Sequence, residues 1–125
     1  YNDSKATNPE SAIVAINSFP ENENVVLIAG GRDKNTDLTE FCNSIKKHIS
    51  TVVLIGEATQ RFEENLRNSG YENILKEETF EGAISKAYSL RPTAVLLSPA
   101  CASFDMFSGY EERGDVFKDY VLSKV

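Results

Sequence analysis

Three short runs of branched apolar residues constrain this chain more than anything else in it: Val25-Val26-Leu27-Ile28-Ala29, Val52-Val53-Leu54-Ile55 and Ala94-Val95-Leu96-Leu97. Their hydrophobicity is continuous, without the alternation of a half-solvated strand. That pattern suits strands covered on both faces, as in a parallel sheet. A weaker short strand is expected at Asn73-Ile74-Leu75.

Helical patterns fill the intervals. From Pro9, apolar residues recur at Ala12, Ile13, Ile16 and Phe19; Asn8 is placed to cap this helix and Pro9 suits its first turn. Asp37 followed by Glu40 resembles a capping box ahead of Leu38, Phe41, Cys42, Ile45 and Ile49. Thr59 is expected to cap a helix through Phe62 and Leu66 that stops at Gly70, and Thr79 one carrying Phe80, Ala83, Ile84 and Ala87. A last helix carries Val116, Phe117, Tyr120 and Val121. The alternation predicts an α/β fold: a doubly wound, Rossmann-like, mostly parallel sheet with helices on both faces. Ligands of such sheets gather beyond the carboxyl ends of the strands. Three candidate loops lie there, at residues 30–36, 56–58 and 98–109.

The chain has 125 residues, 41% of them hydrophobic and 26% charged, which suits one globular domain over residues 1–125. A net charge of −6 argues against broad binding to nucleic acid or an anionic membrane. It leaves room for a small anion held by local lysines. No apolar run approaches the ~20 residues of a membrane span. Cys42 and Cys101 form no C-x-x-C pair, and one histidine gives no zinc cluster. Two free thiols in a reducing cytoplasm is the plain reading, with a disulfide left open by spacing alone. His48 is expected to be a solvent-exposed residue at a helix end, and Glu63-Glu64 a solvated face.

Three segments carry candidate chemistry. Asp3-Ser4-Lys5-Ala6-Thr7 sets an acid, a cation and a hydroxyl before a helix N-terminus, which suits a carboxylate or phosphate. The plainer alternative is a solvated lysine and a second capping hydroxyl. Gly30-Gly31-Arg32-Asp33-Lys34-Asn35 follows the first strand without Walker or dinucleotide spacing. It reads as a turn where backbone approaches a ligand and Lys34 reaches an anion, or as a glycine turn with solvated charges. Ser98-Pro99-Ala100-Cys101-Ala102-Ser103-Phe104-Asp105 offers the Ser103 hydroxyl at the ligand edge, or is a buried structural turn.

Taken in order, these segments resemble one family. Asn2-Asp3-Ser4-Lys5-Ala6-Thr7-Asn8, Ile28-Ala29-Gly30-Gly31-Arg32-Asp33-Lys34 and Ser98-Pro99-Ala100-Cys101-Ala102-Ser103-Phe104-Asp105, followed by Phe107, Tyr110, Glu111, Arg113 and Gly114, are similar to the C-terminal domain of the D-glutamate-adding Mur ligases. These are the UDP-N-acetylmuramoyl-L-alanine:D-glutamate ligases of peptidoglycan synthesis. The resemblance spans essentially the whole chain. It implies a Rossmann-like fold and a fragment lacking the N-terminal UDP-binding and central ATP-binding domains. It implies cytoplasmic chemistry in which ATP phosphorylates the carboxylate of UDP-N-acetylmuramoyl-L-alanine and the amine of D-glutamate attacks the acyl phosphate.

By the same resemblance, Lys5, Thr7, Lys34, Ser103, the backbone of Phe104 and Tyr110 would bind D-glutamate, and Asp3 would lie near the nucleotide. Phe104 stands where the family often has Leu, and Tyr110 where it often has Phe. ATP and magnesium would belong to the full-length enzyme, with no metal and no tightly bound cofactor expected on the fragment. No catalytic residue is assigned within it. Alone it is expected to be an inactive monomer, with no nucleic-acid or membrane partner. The alternatives are a free-standing, non-catalytic α/β module for a small anion or protein partner, or the same domain of a sister Mur ligase.

Overall fold

The computed structural model describes residues 1–2, 7–21, 23–31, 36–98, 100 and 109–123, the last without the side chains of 110, 120, 122 and 123. The elements run α1 (Pro9–Asn17), β1 (Val25–Gly30), α2 (Thr39–His48), β2 (Thr51–Ile55), α3 (Thr59–Asn68), β3 (Ile74–Lys76), α4 (Phe80–Ser89), β4 (Ala94–Leu97) and α5 (Tyr110–Ser123). The sheet order is β3-β2-β1-β4, and every pairing is parallel. The expected architecture and order of elements are thus the observed ones.

Burial explains the apolar runs. Every residue of β1 is buried, because helices cover both of its faces. Val25, Leu27 and Ala29 join one core with Ala12 and Ile16 of α1, Phe41 and Ile45 of α2, and Phe62 and Leu66 of α3. Val26 and Ile28 point into a second core with Phe80, Ile84 and Ala87 of α4 and Phe117 of α5. Alternate residues of one strand thus serve opposite cores, which leaves no position for a polar side chain.

Two of the four expected caps form as read. The Asn8 side chain accepts from the Ser11 N–H at 2.9 Å, and Thr79 Oγ1 from the Gly82 N–H at 2.9 Å. The other two start one residue off. Leu38, not Asp37, stands at the cap of α2, yet Asp37 Oδ1 still accepts from the Thr39 N–H at 3.0 Å and from its hydroxyl at 2.8 Å. Those bonds hold the Asp37 carboxyl below the ordinary carboxylate range. Ala58 caps α3, and Thr59 lies inside it with its hydroxyl donating to Gly56 O at 2.9 Å. The expected stop at Gly70 is a Schellman closure: Gly70 has φ +94°, its N–H bonds Arg67 O at 3.0 Å, and the Tyr71 N–H bonds Leu66 O at 2.9 Å.

Three smaller expectations are corrected. Phe19 lies beyond the end of α1. His48 is half-buried, because its Nδ1 bonds the Phe19 carbonyl at 2.7 Å and ties the end of α2 to the chain leaving α1. Glu63 faces solvent only in part and pairs with Arg67 and Lys76 at 3.1 and 3.3 Å.

Candidate functional site

The connections β1 to β2 to β3 step one way across the sheet, and β4 then lies on the other side of β1. The strand order therefore reverses between β1 and β4, where open α/β sheets leave a crevice at their carboxyl ends. Ile28 and Leu97 are register partners across that boundary, so the chain leaves β1 at Gly30–Gly31 beside the point where it leaves β4 at Ser98. Asn2 makes a parallel bridge to Leu97 on the other edge of β4. The chain next enters α1, whose far end feeds the amino end of β1, so the head of α1 lies at the same carboxyl edge. The roots of all three candidate segments are side by side.

Of the residues named from sequence, Thr7 is described in full: it is half-buried and stands one residue before the Asn8 cap. Tyr110 opens α5, with its side chain outside the described residues. Asp3, Lys5, Lys34, Ser103 and Phe104 lie outside them altogether. So does Cys101, whereas Cys42 is a buried free thiol whose pKa burial raises.

The anchors of these segments are not evident from sequence. Gly31 O accepts from the Ala58 N–H at 2.9 Å, and Thr36 O accepts from the guanidinium of Arg61 on α3. Residues 32–35 thus leave and return at two carbonyls fixed by the first turns of one helix. Gly30 itself is required by the sheet. Its φ is +122°, and a Cβ there would stand 2.0 Å from Ile55 O.

Beyond β4, the buried Ala100 has φ +63°, a left-handed conformation that costs a non-glycine residue ~1–2 kcal/mol. Strain of this kind persists only where surroundings over-determine it. Arg113, one turn into α5, is 1% exposed and is the bulkiest of the fully buried side chains described. A buried guanidinium needs partners within the protein, and Arg113 has them. Its place in the motif was visible in sequence, but its burial was not.

Two cavities lined by described residues lie away from these roots. One of about 510 Å³ opens beyond β2 and β3, lined by Gly56, Thr59, Lys76, Glu77 and Glu78. Its two glutamates suit an anion poorly. Another, of about 350 Å³, lies at the opposite end of the sheet around Lys46, Lys47 and Ser50. No three His, Cys, Asp or Glu side chains among the described residues gather where they could hold a metal ion. No described helix is long and apolar enough to cross a membrane.

The model of the Mur ligase, glutamate ligase domain family matches residues 1–101. The chain belongs to this family. Among its relatives, the UDP-N-acetylmuramoylalanine–D-glutamate ligase of Pelotomaculum thermopropionicum is 48% identical over 98% of this chain and 27% of its own length. Those of Desulfitobacterium hafniense and Clostridioides difficile are 43% and 41% identical, each over 96% of this chain. This Mur ligase domain spans about a quarter of the length of such relatives, 26% in the D. hafniense enzyme. The crystal structure of folylpolyglutamate synthase from Thermotoga maritima superposes with a TM-score of 0.54 at 14% identity, covering 74% of this chain and 23% of that one. At that identity the likeness concerns the fold of the Mur ligase domain alone.

Proposed function

We propose that this chain is the D-glutamate-binding, C-terminal domain of an ATP-dependent ligase that joins D-glutamate to UDP-N-acetylmuramoyl-L-alanine in the cytoplasm. The observation that carries the reading is the joint one. Relatives matching nearly the whole chain at 41–48% identity are named for that reaction, and the three candidate segments arise from one carboxyl edge at the strand-order reversal.

The chemistry fits the donors. D-glutamate carries two carboxylates. Lys5 and Lys34 supply two cations, Thr7 and Ser103 two hydroxyls, and the Phe104 backbone an N–H. Charge-assisted hydrogen bonds of this type are about twice as strong as neutral ones. Tyr110 at the head of α5 would close the pocket, and Asp3 would face the nucleotide. The chain's part is to hold the amino acid with its amine toward the electrophile. Activation of the acceptor carboxylate belongs to the rest of the enzyme, where ATP and magnesium would supply phosphoryl transfer and charge neutralisation. The domain alone would be inactive, and monomeric.

The test is amide NMR of the chain titrated with D-glutamate, paired with kinetics of the full-length enzyme. Shifts clustered at Thr7, Lys34 and Ser103 are expected, and Lys34→Ala and Ser103→Ala should each raise the KM for D-glutamate. Incorporation of L-alanine or L-lysine in preference to D-glutamate would overturn the substrate. Unchanged kinetics in both variants would overturn the residue roles.

A further inference from the structure

Residues 1 and 2 carry no strand signal, yet they lie along the outer edge of β4. The Tyr1 nitrogen donates to Val95 O at 2.8 Å, and Tyr1 O accepts from the Leu97 N–H at 2.8 Å. Asn2 continues in parallel register beside Leu97. Just beyond β4, the Ser98 N–H bonds inward to Ile28 O of β1 at 3.3 Å. The Tyr1 ring meets Phe19 edge-on, with 5.2 Å between centroids. The Asn2 side chain reaches a different element: its Nδ2 donates to Gly114 O on α5 at 3.3 Å.

The docking of α5 is narrow. Of its residues whose burial is described, only Arg113, Gly114 and Phe117 are buried, while Glu111, Glu112, Asp115, Lys118 and Asp119 are exposed. The Phe117 ring packs at 6.5 Å from that of Phe80, and Val116 and Val121 add partly buried surface to the same core. A helix docked through so thin a stripe opens locally at low cost. Gly114 stands three residues before Phe117, on the same face. The Asn2 bond therefore meets α5 along the side by which the helix is already held.

We propose that Asn2 is a conformational latch: its carboxamide makes the seating of residues 1–2 on β4 and the docking of α5 on the sheet one cooperative unit. One residue is held by β4 through its backbone and by α5 through its side chain, so the two ends of the chain loosen together. A coupling free energy is reciprocal. Freeing α5 therefore weakens the strand pairing by the same factor as freeing the strand weakens α5. The latch stands whatever ligand the carboxyl edge holds, and through it a displacement at residue 1 is felt in the last helix.

Amide exchange of the full-length protein, read by mass spectrometry with fragmentation to single residues, is the test. Asn2 is exposed, so Asn2→Ala and Asn2→Asp are expected to fold. The first removes the donor and leaves the backbone pairing with β4 possible; the second keeps the shape but presents a carboxylate to a carbonyl. In both, exchange over residues 113–118 should quicken about 2- to 10-fold, the range expected for one net hydrogen bond. The Leu97 N–H, which bonds Tyr1 and not the Asn2 side chain, should quicken by a similar factor. The inward-bonded Ser98 N–H and residues 26–29 of β1 should keep their rates. Phe117→Leu loosens α5 from its packed side, and it too should quicken Leu97 relative to Ser98. Unchanged exchange in α5 of the Asn2 variants overturns the latch. A Leu97 N–H that keeps its rate while α5 quickens shows two independent contacts and overturns the coupling. Equal quickening of Leu97, Ser98 and β1 is a general loss of stability and overturns it as well.

Discussion

Replacing Gly30 by alanine separates two reasons for a glycine at the end of β1: a ligand that needs close backbone approach, or a strand that does. The structure supports the strand. A Cβ at Gly30 would sit 2.0 Å from Ile55 O, its nearest backbone neighbour in β2, and the residue has φ +122°. The conformational part costs ~1–2 kcal/mol for an L side chain. Relieving the overlap means parting the ends of β1 and β2, with the loss of a terminal ladder hydrogen bond or two at ~1 kcal/mol each. The total is about 3 kcal/mol.

A chain this size has an unfolding entropy near 0.26 kcal/mol per kelvin, so the melting temperature should fall by roughly 11 °C. Gly70→Ala is the matched control. Its φ is +94°, but the nearest atom a Cβ would meet is the flexible Lys46 Nζ at 3.8 Å. Only the conformational cost of ~1 kcal/mol should appear there. Thermal melts by circular dichroism, with urea curves to verify unchanged m-values, measure both. Equal losses in the two variants would refute the close-approach reasoning. A fully stable Gly30→Ala protein that no longer binds D-glutamate would return the glycine to the ligand.

Thr79→Ala should destabilise the chain by ~1 kcal/mol in urea titrations, since it frees the Gly82 N–H that the threonine hydroxyl satisfies. Burial pushes the Tyr71 phenol above its ordinary 10.0, while its hydroxyl donates to Ile49 O at 3.2 Å. A raised folded pKa gives stability that is fully present below the unfolded value and lost as pH rises through and above it. The stability advantage of wild type over Tyr71→Phe should therefore hold at pH 8 and shrink above about pH 10; a constant difference would contradict it. Cys42 is 2% exposed and its thiolate is disfavoured by burial. A Cys101→Ser variant should accordingly react with a thiol reagent only as fast as it unfolds, which stopped-flow absorbance with and without urea will measure.

The strands were legible because double-sided burial writes itself into sequence as unbroken apolar runs. Asn8 and Thr79 were legible as caps because capping is settled within four residues. Asp37 and Thr59 were misplaced by one position; at α3 a long-range bond takes part, since the Ala58 N–H is committed to Gly31 O. The position of β4 beside β1 is a choice among crossovers that no local pattern encodes. Gly30 was noticed for its flexibility, while its constraint comes from Ile55, which is 25 positions away in the chain. The same holds for Arg61, whose guanidinium fixes Thr36 O from another helix. At the candidate site, sequence motifs named candidate donors, and the fold contributes the adjacency of the roots of their segments. Asn2 and the buried Arg113 sat inside recognisable motifs, but the bond from Asn2 Nδ2 to Gly114 O spans more than a hundred residues, and the burial of Arg113 depends on packing.

The pairing of Tyr1 with β4 also bears on how this domain behaves in solution. Without it, the Val95 carbonyl and the Leu97 amide would face water on a strand of sequence Ala-Val-Leu-Leu. Such an unguarded apolar border is a template for another chain's strand, and so for self-association. A version beginning at residue 3 should therefore aggregate where one retaining Tyr1 and Asn2 stays dispersed. The same two residues that lead into the candidate site cover the border of β4, and light scattering of the two versions measures how far that cover guards against misassembly.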